Sequence, residues 1–162
     1  MALIDMLAAL EAAPFAVAIA ESPWLFPAIE VIHVIAIVLV VGSIAMLDLR
    51  LLGVSRRDQG VIELANETLP WTWGAFGLAL CSGLLMFASA ATRYFDNIPF
   101  RVKMLLLLLA GINMAIFHLS AYRSVHHWNN QLPTPGAARI AGTMSLTFWV
   151  GVVFFGRWIG FV

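Results

Sequence analysis

Charge is scarce in this sequence. Lys and Arg number 9, Asp and Glu 9, together 11% of 162 residues, and the net charge is zero. No basic run stands out, which removes nucleic acid as a partner. There is one cysteine, Cys81, so no intrachain disulfide, no CxxC and no covalent c-type haem. A P-loop, a Rossmann glycine fingerprint and a Ser-His-Asp order are also missing. The stretch "MALIDMLAALEAAPFAVAIAESPW" lacks the positive start of a signal peptide. No internal repeat is evident, and the chain is small for a transporter built of inverted repeats.

What is abundant is apolar surface. The composition is 62% hydrophobic and the mean hydropathy is +0.92, more than a soluble domain of this length can bury. A spanning helix needs about 20 apolar residues. Four segments qualify, at about Trp24–Leu52, Pro70–Ala91, Pro99–Tyr122 and Ala137–Phe161. Backbone groups in lipid must be satisfied within their own segment, so these spans are helices. The connections "GVSRRDQGVIELANETLP", "TRYFDNIP" and "WNNQLPTPG" carry Gly, Pro and polar breakers. Short connections make neighbours antiparallel. The expected fold is all-α, an integral membrane four-helix bundle forming a single domain over 1–162. Leu3–Ala20 has apolar residues at helical spacing with Asp5 and Glu11 between them. It reads as an amphipathic helix lying on the membrane surface, a short extra span being the alternative.

Orientation follows from Lys and Arg. The first thirty residues contain neither, whereas Arg50, Arg56 and Arg57 lie in or next to the first connection and Arg123 and Arg139 flank the third. The expectation is a multi-pass protein of the bacterial inner membrane with its N-terminus outside. Against it, Arg93, Arg101, Lys103 and Arg157 fall on the outer side.

A rise of about 1.5 Å per residue converts position into depth. Glu30, His33, Lys103 and Arg157 then form an outer layer. Asp48, Arg50, Trp71, Trp73, His118 and Tyr122 form an inner one, with Asn113 between. Each ionisable residue within a span costs roughly 2.5–3.5 kcal/mol on insertion scales, so each needs a partner or a purpose.

Glu30 and His33 sit three residues apart on one helix face, the Glu-x-x-His spacing of metal-binding bundles. One reading is a pair in which the carboxylate fixes the imidazole tautomer; the other nitrogen could then meet a metal, haem iron above all. His118, with Tyr122 one turn on, reads either as a second ligand or as a helix-end histidine bonded to a headgroup or carbonyl. The difference in depth argues against one haem held between His33 and His118 of the same chain. Arg101, Lys103 and Arg157 read as snorkelling cations or as partners for Glu30 or haem propionates. His126 and His127 face different directions and read as interfacial. Trp71 and Trp73 suit an aromatic belt, and Asp48 with Arg50 reads as a capping ion pair.

The stretches "HVIAIVLVVGSIAMLDLRLLG" and "YFDNIPFRVKMLLLLLAGINMAIFH" resemble a family of uncharacterised small bacterial membrane proteins. More distantly they resemble the copper-resistance D family and the HemJ-type four-helix membrane protoporphyrinogen oxidase. The shared elements are His33, Lys103 and Asn113. The HemJ-type resemblance implies haem b binding by His33 and a role in activity for Lys103. The copper-resistance resemblance implies copper handling. His118, beyond Asn113 in "NMAIFH", is a departure from the pattern of both groups. The leading expectation is a b-type haem membrane protein with an electron-transfer or redox role, an electron donor or acceptor of unknown identity, and a second site for copper. The candidate residues are His33, His118, Glu30 and Tyr122 for metal and His33, His118, Lys103, Arg157, Arg101 and Asn113 for the cofactor. The alternative is copper transport or tolerance without haem, against which stand the lack of Met-x-x-Met or Cys-rich motifs and seven Met residues that line no one face. A third reading is an assembly protein whose polar residues pin helices together. Four helices enclose little volume, and Gly142, Gly151 and Gly156 with Gly74 and Gly77 would allow close contact. A homo-oligomer, dimer or trimer, embedded in membrane lipid is therefore expected.

Overall fold

The computed structural model describes residues 2–130 and 133–161. All regular structure among them is helical: α1 (Ala2–Glu11), α2 (Pro14–Glu21), α3 (Leu25–Leu51), α4 (Val61–Ala88), α5 (Ala91–Asp96), α6 (Ile98–Leu119), α7 (Val125–Trp128) and α8 (Gly136–Trp158). Short 3-10 turns follow α6 at Ala121–Ser124 and α8 at Ile159–Phe161.

Helices α3, α4, α6 and α8 are long and apolar enough to cross a membrane, α6 continuing with α7 as far as Trp128. Within the most apolar window of each span only 11% to 22% is buried inside the protein. The remainder, such as Val31, Ile35 and Val38 on α3 and Leu105, Leu108 and Ile112 on α6, faces outward. An apolar girdle of that extent has lipid as its solvent. The chain is an all-α, multi-pass membrane protein.

Helix α3 pairs with α4, α6 pairs with α8, and α3 against α8 joins the two pairs. The order across the bundle is therefore α4, α3, α8, α6. The α3–α4 seam is built of small side chains, with Ala36, Val40 and Ser43 buried from one helix and Thr72, Ala75 and Ser82 from the other. Without a hydrophobic drive between helices in lipid, close approach through small residues supplies the contact energy. One polar bond reinforces it, Thr72 Oγ1 donating to Ser43 Oγ over 2.7 Å.

Three boundaries differ from the sequence expectation. Helix α4 begins at Val61 rather than at Pro70, taking in half of the expected connection. Buried Val61, Leu64, Ala65 and Thr68 recur at helical spacing, and the loop before α8 caps the new start. Val61 N–H donates to the Asn129 carbonyl (3.2 Å) and Ile62 N–H to Asn129 Oδ1 (2.7 Å). Twenty-eight residues extend about 42 Å, against about 30 Å of hydrocarbon. The helix is thus longer than one upright crossing requires, and Trp71 and Trp73 on it are exposed. The N-terminal segment, expected as one helix over Leu3–Ala20, is two helices bent by 64°. Pro14 opens α2 at a position where a missing N–H does no harm. The bend lets Glu11 Oε1 accept from Thr92 N–H (2.8 Å) and Thr92 Oγ1 (2.7 Å), tying α1 to α5. Helix α6 stops at Leu119, before Tyr122.

Asp48 and Arg50 are not an ion pair. An ion pair does join Arg101 to Asp96, at 3.5 Å. Arg50, fully buried, donates from Nε to the Gln59 carbonyl (2.6 Å) and from Nη2 to the Asn129 carbonyl (3.1 Å). It joins the end of α3 to both connections on that side. Gly53, at φ 71°, lets α3 stop there by returning its own N–H to the Arg50 carbonyl.

Candidate functional site

The end of the bundle at which α3 begins collects most of the candidate residues. His33 lies two turns into α3, half-buried. Its Nδ1 is 2.9 Å from Ser82 Oγ on α4. Its Cε1 lies so close to Gly83 that a Cβ there would sit 3.0 Å away. Glycine at that position is what lets α4 receive the imidazole. Lys103, the only lysine, enters from α6, half-buried and electrostatically coupled to His33. Its stem passes Gly156 of α8, where a Cβ would stand 3.6 Å from Cδ. Its ammonium lies 5.0 Å from the Phe100 ring centre, and it has no carboxylate at ion-pair distance among the described residues. A cation over a ring face is held by the ring quadrupole, which leaves its N–H donors uncommitted.

Aromatic rings close this end between α4 and α6. Phe87 stacks on Phe100 with centroids 5.5 Å apart, and Tyr94 of α5 lies 5.5 Å from Phe100 and 6.3 Å from Phe87. Burial pushes the Tyr94 phenol up, Arg93 opposing and Glu30 adding, so it stays a neutral donor at physiological pH. Glu30 is exposed at the rim, within electrostatic reach of His33 and Tyr94 but hydrogen-bonded to neither. The expected carboxylate–imidazole pair is thus a serine–imidazole pair.

The other expected cofactor residues are engaged elsewhere. Arg101 donates to the Phe95 carbonyl over 2.6 Å and pairs with Asp96. Arg157 is exposed, its guanidinium 5.0 Å from the Phe161 ring centre. Asn113 Nδ2 donates to the Ala141 carbonyl over 2.9 Å and stitches α6 to α8. His118 occupies the opposite end of the bundle, exposed, with Nδ1 2.9 Å from the Met114 carbonyl one turn back. Tyr122 lies against it, centroids 5.1 Å apart. The four metal candidates therefore divide into Glu30 with His33 at one end and His118 with Tyr122 at the other. No three His, Cys, Asp or Glu side chains gather among the described residues.

Two groups escaped the candidate set. Ser82 holds His33, and nothing in "CSGLL" announces that, because its meaning depends on the register of α3 against α4. Asp48 is 5% exposed, with Oδ2 lacking any partner among the described residues. A carboxyl buried in a span was a visible signal, but pairing it with Arg50 explained it away.

The glycines of α8 also find their use inside the chain. A Cβ at Gly142 would stand 3.3 Å from the Asp48 carbonyl and one at Gly151 2.8 Å from Leu106. Gly74 and Gly77 have nothing within 4 Å.

Comparison with curated proteins and with solved structures returns no match. A family model described as "Family of unknown function (DUF6644)" matches residues 26–162. The chain belongs to that family. The match covers all four spans and begins after α2.

Proposed function

We propose that this member of the DUF6644 family binds haem b non-covalently at the outer end of its bundle, with His33 as the iron ligand and Lys103 as the partner of a propionate, and that it serves electron transfer or redox chemistry in the bacterial cytoplasmic membrane. One observation carries the reading: a half-buried imidazole within electrostatic reach of a half-buried ammonium that has no carboxylate at ion-pair distance among the described residues. A lone cation inside a span is costly. Occupancy by a group that brings both an electron-pair acceptor and a carboxylate offsets that cost. The donor set fits the group chemically, since one anchored neutral imidazole is a common haem ligand. When bound, the haem would supply one-electron redox chemistry. The chain's own part is to orient the ring, place a cation and exclude water with Phe87, Tyr94 and Phe100.

The same reading puts the N-terminus outside. Arg50, Arg56, Arg57, Arg123 and Arg139 share the inner end, where the positive-inside rule wants them. It also favours a homo-oligomer. Helices α4 and α6 meet through Phe87 and Phe100 but do not pack along their length among the described residues, and open Gly74 lies on α4. A neighbouring subunit can supply the apolar cover a porphyrin face needs. Copper handling rests on resemblance alone and has no observation of its own here.

Protein purified from cells with ample haem supply is expected to be red, with a Soret band that shifts on reduction. Lys103→Gln is expected to weaken haem retention about tenfold, the value of one charge-assisted contact. A colourless protein under those conditions overturns the proposal.

A further inference from the structure

The structure assigns Ser82 as a positioning residue that makes Nε2 the donor atom of His33, so that this site takes an electron-pair acceptor, a metal centre, rather than a ligand that itself accepts a hydrogen bond. The inference rests on the reading of His33 as a ligand and specifies it to one atom.

A serine hydroxyl has one proton to give. Ser82 Oγ lies 2.7 Å from the Leu78 carbonyl and 3.2 Å from that of Ala79, one turn back on its own helix. The shorter contact is a good O–H···O bond, so the proton goes to Leu78. What remains on Oγ is lone pairs, and they face His33 Nδ1 at 2.9 Å. Nδ1 therefore bears the proton. In a neutral imidazole only one nitrogen does, so Nε2 carries the free lone pair. Gly83 adds steric definition: the ring is seated against its bare Cα, which brings Nδ1 up to the adjacent Ser82. Ser82 is 4% exposed, so water does not compete for Oγ.

Such an anchor does more than choose an atom. A hydrogen bond from Nδ1–H raises the basicity of Nε2 and strengthens its bond to a metal. Glu30, on the same helix one turn away, is exposed and makes no hydrogen bond to the ring, so the serine, and not the carboxylate, sets this property.

The test is nitrogen-15 NMR of histidine-labelled protein stripped of haem, with His33 assigned through His33→Gln. The expected result is a neutral ring protonated at Nδ1 in the wild type. Ser82→Ala should show the other tautomer appearing, and Ser82→Thr, which keeps an Oγ, should restore the wild-type signal. A wild-type ring protonated at Nε2, or a Ser82→Ala ring indistinguishable from wild type, overturns the assignment. The readout does not depend on haem, so the correct tautomer in a protein that never binds haem would sustain the role of Ser82 while sinking the haem proposal. In haem-loaded protein, Ser82→Ala should raise the midpoint potential, because a less basic imidazole stabilises ferric iron less, and Ser82→Thr should bring it back. An unchanged potential in Ser82→Ala contradicts the assignment.

Discussion

Gly83→Ala adds one methyl group at the contact between α4 and His33. An ideal Cβ would sit 3.0 Å from Cε1 and 3.6 Å from Nδ1. Carbon atoms in good contact stand about 3.5–4.0 Å apart, so the ring must retreat by about 0.5–1 Å. The bond from Nδ1 to Ser82 is 2.9 Å long. Stretched by that amount it leaves the range of a hydrogen bond, losing about 0.5–1.5 kcal/mol. Alanine in a helix returns about 0.5–1 kcal/mol relative to glycine, so overall stability changes little. The informative comparison is Gly77→Ala, two turns earlier on α4, where nothing lies within 4 Å. That substitution keeps the helix gain without the clash. Thermal unfolding in detergent should place Gly77→Ala above Gly83→Ala by about 1 kcal/mol. Haem retention should fall in Gly83→Ala alone. Equal melting and equal haem content in the two variants would refute the packing of His33 on Gly83.

Arg50→Met should destabilise by on the order of 2–4 kcal/mol, since it breaks two charge-assisted bonds, leaving the Gln59 carbonyl without this donor and the Asn129 carbonyl with Val61 N–H alone; faster proteolysis at the α3–α4 and α7–α8 connections is the readout. Asn113→Leu should cost about 0.6 kcal/mol, the average for an interhelical hydrogen bond in lipid, and leave haem content unchanged, because its amide serves the Ala141 carbonyl. Reporter fusions after Asn66 and after Asn130 should be active only as cytoplasmic reporters, and periplasmic activity at either point reverses the orientation. Mass measurement corrected for bound detergent should give a dimer or trimer; a monodisperse monomer with full haem content removes the shared-cover argument.

The four spans were legible because lipid leaves the backbone no choice. A run of about 20 apolar residues must be a helix wherever it sits. The start of α4 was not, since Glu63, Asn66 and Glu67 look like a connection and Pro70 like a breaker. The buried period Val61, Leu64, Ala65, Thr68 carried the correct signal beneath them. The break between α1 and α2 was announced by Pro14 and overlooked in favour of periodicity. Depth, which comes from counting along a helix, correctly kept His33 and His118 apart and brought His33 to the level of Lys103. Partners across helices were out of reach. Ser82 for His33, Asn129 for Arg50 and Ala141 for Asn113 are fixed by register and rotation between helices, and a single sequence does not encode these in any local pattern. Asp48 is the case in which a local pattern misled: proximity in sequence to Arg50 suggested a pair, yet the two side chains leave α3 on different faces.

Haem per chain, measured as pyridine haemochrome on protein purified from haem-replete cells, tests the central claim most directly when His33→Ala and His118→Ala are compared with wild type. The account predicts stoichiometric haem b in the wild type, loss of it in His33→Ala, and full retention in His118→Ala, whose ring is exposed at the far end of the bundle. Haem that survives His33→Ala and disappears in His118→Ala would contradict the account and move the site to the opposite end of the bundle.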